Sequence, residues 1–178
     1  MSEIVIPNID VTTLSASLRK DLRSDHAGET GAVMIYKGIL AVSRDPEIQS
    51  FASDHLKTEQ EHLALFESWL PPNDKSMLLL LWKVSGFLLG VLAALAPKHL
   101  TYYTIEIVEQ FVVEHYESQI LTAPEDLREM LLKLQSEEKE HQLEAITLQD
   151  GSQGRICDLW GSLVDSGSRL AVNVARLI

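Results

Sequence analysis

The chain has 178 residues, enough for one domain with a sizeable core and too few for two full ones. Fifteen Lys and Arg stand against 26 Asp and Glu, a formal charge of −11, which argues against nucleic acid as a partner because that needs a basic stripe. A hydrophobic share of 46% excludes wholesale disorder, and the lone Cys157 excludes a disulfide framework and any cysteine-rich metal site. A bound metal would therefore rest on His and carboxylate.

Met1 to Asp10 has no basic, apolar leader and no Arg, so the expectation is a cytoplasmic start, or a chain from which a targeting peptide has been removed. Thr12, Thr13 and Ser15 offer N-caps for a helix running to about Ser43. Asp45-Pro46 caps and opens the next helix, which Pro71-Pro72 stops after Leu70. Asn73-Asp74 then caps a very apolar segment ending near Ala96-Pro97. A further helix runs from about His99 to Leu121, breaks at Thr122-Ala123-Pro124, and is followed by a charged helix to about Gln149. Asp150-Gly151 marks a turn. In the last segment Ile156, Leu159, Trp160, Leu163, Val164, Leu170 and Val174 recur near helical spacing. No alternating strand pattern interrupts these elements, so the expectation is all-α.

Two of the helices carry Glu-x-x-His, at Glu59 to His62 and Glu138 to His141. Residues three apart share a helix face, so each motif presents a carboxylate and an imidazole together. Alone, the motif is weak in a Glu-rich chain. The spacing strengthens it. The midpoint of Glu29 and Glu59 falls at Arg44, beside Asp45-Pro46, and that of Glu109 and Glu138 between Ala123 and Pro124. In a helical hairpin, residues equidistant from the turn lie level. Each hairpin thus brings one Glu level with a Glu-x-x-His, and the halves repeat at offsets of 80, 79 and 79 residues. Tyr36 and Tyr116 follow Glu29 and Glu109 by seven residues, two turns on the same face.

Four carboxylates and two imidazoles converging in a core need cations. One Glu from each of two helices and a Glu-x-x-His from each of two others is the ligand pattern of dinuclear iron and manganese bundles, which predicts a ferritin-like four-helix bundle. The two additional helices would be an apolar crossover and a C-terminal helix. The predicted organisation is a single domain over 1–178, with hairpins at 11–70 and 98–149, the crossover helix at 74–96 and the last helix at 153–178.

Asp25-His26-Ala27-Gly28-Glu29-x-Gly31-Ala32-x-x-Ile35-Tyr36-x-Gly38 resembles the first-helix signature of the demethoxyubiquinone hydroxylases. Glu59-x-x-His62-Leu63, the Leu81 to Phe87 stretch, Val108-Glu109, His115-Tyr116, Gln119-Ile120 and Glu138-x-Glu140-His141 are similar to that family in the same order, from about Leu18 to the C-terminus. The resemblance implies iron, as two Fe ions, on Glu29, Glu59, His62, Glu109, Glu138 and His141, with Glu59 and Glu138 as bridges. It implies an O₂-dependent monooxygenase that hydroxylates a polyprenyl benzoquinone ring in ubiquinone synthesis. His115 and Tyr116 are the candidate catalytic residues, contacting quinone or the metal ligands. Asp25 and Glu106 are candidates to orient ligand imidazoles, and His26 and His55 read as ordinary helix-surface histidines. No Gly-rich dinucleotide fingerprint is visible, so the external reductant is either NADH, bound unconventionally, or the quinol itself.

Met77 to Ala96 has sixteen apolar residues in twenty, long enough to span a bilayer. A spanning helix would put Glu59 and His62 on one side of the membrane and Glu109 on the other, so one shared site forbids it. The expectation is monotopic insertion of this helix and the apolar side of the last one. That predicts a peripheral membrane protein on the cytoplasmic face of the cell membrane, or on the mitochondrial inner membrane if a transit peptide has been removed. A homo-oligomer or a lipid-presenting partner protein would fit such a surface. The alternative is another ferritin-like di-iron oxidase or peroxidase, or an iron-binding protein without a quinone substrate.

Overall fold

The computed structural model describes residues 4–149 and 154–178; the expected Asp150-Gly151 turn and the side chain of Ile156 lie outside the described residues. Six helices follow in order: α1 Ala16–Val42, α2 Pro46–Trp69, α3 Leu79–Leu95, α4 Lys98–Ile120, α5 Glu125–Leu148 and α6 Arg155–Ala175. No strand occurs among the described residues. The architecture is all-α, a ferritin-like bundle of α1, α2, α4 and α5 with α3 and α6 added.

The helix starts follow local chemistry. Ser15 Oγ accepts from the Leu18 amide at 3.2 Å, and Asp45 Oδ1 accepts from the amides of Glu47 and Ile48 at 2.8 and 3.3 Å. Asn73 and Asp74 do not cap the apolar helix. Asp74 is buried and receives Arg19 on both oxygens, Nε at 2.9 Å and Nη2 at 3.1 Å. That pair ties it into a short 3₁₀ turn, Pro72–Asp74, and α3 begins only at Leu79.

Two apolar layers bracket the middle of the bundle. Leu22, Leu65, Phe66, Leu127, Leu131 and Leu134 fill one end. Ile39, Ile48, Phe51, Tyr102, Ile105 and Ala145 fill the other. The level between them holds the polar cluster described below.

Helix α3 lies against α1 at backbone contact. A Cβ added at Gly86 would strike the carbonyl of Gly31, one at Gly90 the carbonyl of Ile35, and one at Gly38 the carbonyl of Phe87. Backbone atoms cannot swing aside, so Gly90→Val is expected to cost about 2–3 kcal/mol or more, read as a lower urea midpoint at unchanged slope. The opposite face of α3 is bare: Leu80 is 75% exposed and Leu95 70%, with Leu81, Val84, Leu88 and Leu92 between them also exposed. Helix α6 exposes Leu159, Leu163 and Leu170 in the same way. The two helices meet where Trp82 packs with Ala27, Ala171, Val174 and Ala175. No helix among the described residues is long and apolar enough to cross a membrane.

Candidate metal centre

Glu29 on α1, Glu59 and His62 on α2, Glu109 on α4, and Glu138 and His141 on α5 meet at the level between the apolar layers. All six are buried, none more than 7% exposed. They form two four-residue groups, Glu29 with Glu59, His62 and Glu138, and Glu59 with Glu109, Glu138 and His141. Within each group, one potential ligand atom per residue lies within 4.8 Å of the others. Glu59 and Glu138 belong to both.

Each imidazole aims Nδ1 inward. His62 Nδ1 is 2.9 Å from Glu138 Oε1 and 3.6 Å from Glu29 Oε2, and His141 Nδ1 is 3.0 Å from Glu59 Oε1 and 3.4 Å from Glu138 Oε2. Behind His62, Nε2 donates to Glu137 Oε2 at 2.8 Å, and Lys133 holds that carboxylate at 2.6 Å. A carboxylate on the outer nitrogen fixes the ring and leaves the inner lone pair for a metal. The two tyrosines cross between hairpins: Tyr116 donates to Glu29 Oε1 and Tyr36 to Glu109 Oε1, each at 2.6 Å.

Inward-facing atoms are left without well-formed hydrogen bonds. Glu29 Oε2, Glu59 Oε1, both Glu138 oxygens, and Nδ1 of His62 and His141 are all buried and unsatisfied. Buried polar atoms are rarely orphaned, and here lone pairs point at one another from several elements. Carboxylate oxygens with imidazole nitrogen suit divalent first-row metals, and two such ions would balance four carboxylates. The donor set fits a dinuclear centre.

Without a metal the cluster neutralises itself by holding protons. Burial raises the Glu29 carboxyl to about 8, against the pull of His62. Burial and the Glu138 and Glu59 charges push Glu109 well above the carboxylate range. Burial opposes charge on the two histidines but is outweighed. Glu138 and Glu59 lift His141 to about 11, and Glu137 and Glu138 lift His62 well above its ordinary value. Burial likewise opposes charge on Glu138, yet His141 and His62 hold it far below the usual range.

His115 sits at the rim of a small cavity of about 30 Å³ beside Glu29, Glu109 and Glu138, walled by Gly28, Ala32, Phe111, Val112 and Val172. Asp25 Oδ1 is 3.0 Å from His115 Nε2 and accepts from Gln119 at 2.8 Å. Asp25 therefore positions His115 rather than a ligand imidazole. Glu106 accepts from Gln149 instead of from a ligand imidazole. His26 and His55 are not surface residues, at 0% and 3% exposure. Helices α1 and α3 pack through their glycines a few residues further along, and both ring nitrogens of His26 are buried without partners. His55 stacks on His141 with ring centroids 4.0 Å apart, and burial, then the His141 charge, lowers its pKa to about 4. The residues that sequence reasoning missed are Glu137 and Glu144, which bonds His55. Both lie in a Glu-rich helix where nothing distinguishes them by spacing.

A family model described as "Ubiquinone biosynthesis protein COQ7" matches residues 16–175. The chain is 32% identical over 175 residues to a Homo sapiens protein named NADPH-dependent 3-demethoxyubiquinone 3-hydroxylase, mitochondrial, covering 90% of this chain and 78% of that one. It is 28% identical over 163 residues to the Dictyostelium discoideum protein of the same name, covering 87% and 75%. A Rhodospirillum rubrum protein named 3-demethoxyubiquinol 3-hydroxylase is 29% identical over 171 residues, covering 92% and 80%.

Proposed function

The chain belongs to the COQ7 family of ubiquinone biosynthesis proteins, and from that premise we propose that it is a monooxygenase hydroxylating the ring of a polyprenyl demethoxybenzoquinol with O₂. The observation that carries the reading is the pair of overlapping carboxylate and histidine groups. Two iron ions are the proposed occupants; Glu29, Glu59, His62, Glu109, Glu138 and His141 would hold them, Glu59 and Glu138 being the residues common to both groups. Bound iron would supply the O₂ activation that side chains alone cannot.

The chain's own groups do the rest. Glu137 holds His62 in register, and Tyr116 and Tyr36 fix one oxygen each of Glu29 and Glu109, leaving the other oxygen of each carboxylate for metal. The apolar layers keep bulk water from the centre. His115, held by Asp25 and half-turned to the cavity, is placed to hydrogen-bond a quinol hydroxyl at the mouth, and Tyr116 lines the same wall. A cavity of about 30 Å³ takes a water or two but not a benzoquinol ring, so the wall formed with Val172 of α6 has to yield on entry.

The exposed leucines of α3 and α6 suit shallow insertion into lipid, which also dissolves the prenyl tail. The protein would then work as a peripheral membrane protein, on the mitochondrial inner membrane or the cytoplasmic face of a cell membrane. A reduced nicotinamide is the proposed electron donor, following the names of the Homo sapiens and Dictyostelium relatives.

The test is anaerobic loading with Fe(II), an iron count, then O₂ with a short-chain demethoxyquinol and reductant. About two irons per chain and hydroxylated product are expected. Two irons with no product under any reductant would sink the substrate assignment. The cavity gives a separate check. A Cβ at Gly28 meets nothing within 4 Å, so Gly28→Leu should fold and load iron normally. Its side chain would fill the cavity mouth, and product formation should drop about tenfold or more, against an unchanged melting temperature.

A further inference from the structure

Resting on the peripheral-membrane part of the hydroxylase reading, we infer that the leucine face of α3 and α6 is built for an anionic phospholipid surface, although the chain as a whole is strongly acidic. The helices stack in three layers. Helix α3 packs on α1, and α6 packs on α4 and α1. Helices α2 and α5 pack on α1 and α4 from the other side, and meet each other through His62 with Glu137 and His55 with Glu144. The acids concentrate in that far layer: α2 carries five Asp and Glu against one Lys, and α5 seven against three Lys and Arg. The outer layer is the reverse. From Lys75 to Ile105 there are three lysines, Lys75, Lys83 and Lys98, and no acid. Residues 154–178 hold Arg155, Arg169 and Arg176 against Asp158 and Asp165. These two stretches carry a formal +4 in a chain of −11, which leaves −15 for the rest.

Three of the six cations are taken up by carboxylates: Lys98 by Asp45 and Glu47, Arg169 by Glu114 and Asp165, and Arg176 by Asp21. Lys75, Lys83 and Arg155 have no carboxylate partner among the described residues; Lys75 donates to the Glu67 carbonyl. Their places suit a headgroup level. On α3, Trp82, Gly86, Gly90 and Ala93 face inward. Lys83 lies one residue, about 100°, round from Trp82. It is exposed at the border between the packed side and the leucines. On α6, Arg155 is exposed one turn before Leu159. Lysine and arginine lay their stems along an apolar face and lift their charged ends out of it. Asp158 and Asp165 line the groove between α6 and α4 instead.

Distance decides between the two charges. Packed helices lie about 8–10 Å apart, so the acidic layer stands about two such spacings from a bilayer that α3 and α6 enter. At physiological salt a charge is screened within about 8 Å. The bilayer therefore meets the near cations at full strength and the far carboxylates only faintly. Each unpaired cation at the headgroups is worth about fivefold in binding to an anionic surface.

The test mixes the full chain with vesicles of phosphatidylcholine alone, or with about one-third phosphatidylglycerol, and measures bound protein by co-flotation. Binding to the anionic vesicles is expected to be about tenfold or more tighter at about 0.1 M salt, with most of that gain lost at about 1 M. Lys83→Gln combined with Arg155→Gln should remove most of the gain, leave binding to phosphatidylcholine unchanged and keep the wild-type melting temperature. Leu80→Ser combined with Leu88→Ser should weaken binding to both vesicles. Equal binding to the two vesicles, or a double Gln variant that keeps the full gain, would overturn the inference and leave the peripheral-membrane reading standing. Binding to neither would overturn both, and a stable dimer in buffer would then identify a second copy as the cover of the leucines. The hydroxylase reading is checked apart from lipid, by product from a short-chain demethoxyquinol in buffer.

Discussion

Glu138→Ala is expected to reduce bound iron from about two ions per chain to well under one, while far-ultraviolet circular dichroism at low temperature stays near wild type. Glu138 is one of two residues common to both ligand groups. Its oxygens lie 2.9 Å from His62 Nδ1 and 3.4 Å from His141 Nδ1. Removing it takes a ligand from both positions at once. It also takes the counter-charge from two histidines that hold protons in the metal-free protein. Stranding a buried charge in this way costs about 3–5 kcal/mol, so the melting temperature of the metal-free variant should fall as well. Glu109→Ala is the contrast. Glu109 belongs to one group, and the other, Glu29 with Glu59, His62 and Glu138, remains whole. That variant should keep about one ion. Two ions retained by Glu138→Ala would refute the ligand assignment.

Loading two divalent ions at pH 7 should release at least about two protons per chain. Glu29, with a pKa of about 8, and His141, at about 11, are protonated at that pH, and Glu109 and His62 are raised in the same direction. Glu29 and His141 must lose the proton to offer an inward lone pair, and the raised Glu109 and His62 act in the same sense. The sign follows: protons compete with metal, so affinity rises with pH, and it keeps rising through about pH 8 as Glu29 lets go. The release can be counted by calorimetry in buffers of different ionisation enthalpy, with Co(II) as an air-stable probe. A release near zero would mean that metal binds outside this cluster.

Much of this arrangement was legible in the chain because helical hairpins turn sequence distance into height. Glu29 and Glu59 flank Asp45-Pro46 at nearly equal distance, and Glu109 and Glu138 flank Pro124, so level pairing followed from the breakers alone. Polar caps were less legible. Asp74 had the right type and place to start a helix, but Arg19, 55 residues earlier in sequence, competes for it and wins through a bidentate bond. The histidines failed for a related reason. Nothing near His26 in sequence announces that α3 will lie over α1, since that contact depends on glycines at 31, 38, 86 and 90 matching across two helices. His55 is hidden by Tyr36 and His141, which come from α1 and α5. Periodicity reports which face of a helix is apolar. It does not report which polar face another element will cover.

The crossed tyrosines make assembly of the site depend on both hairpins at once. Each ligand group takes three residues from one hairpin and one from the other, and each first-helix carboxylate is gripped by the opposite hairpin's tyrosine. A lone hairpin could complete neither position, so neither ligand group exists until both hairpins have folded and docked. Helix α3 links the two hairpins in one chain, and the two halves are not identical. They differ behind the ligands: one inner histidine leans on the carboxylate of Glu137, the other on the ring of His55.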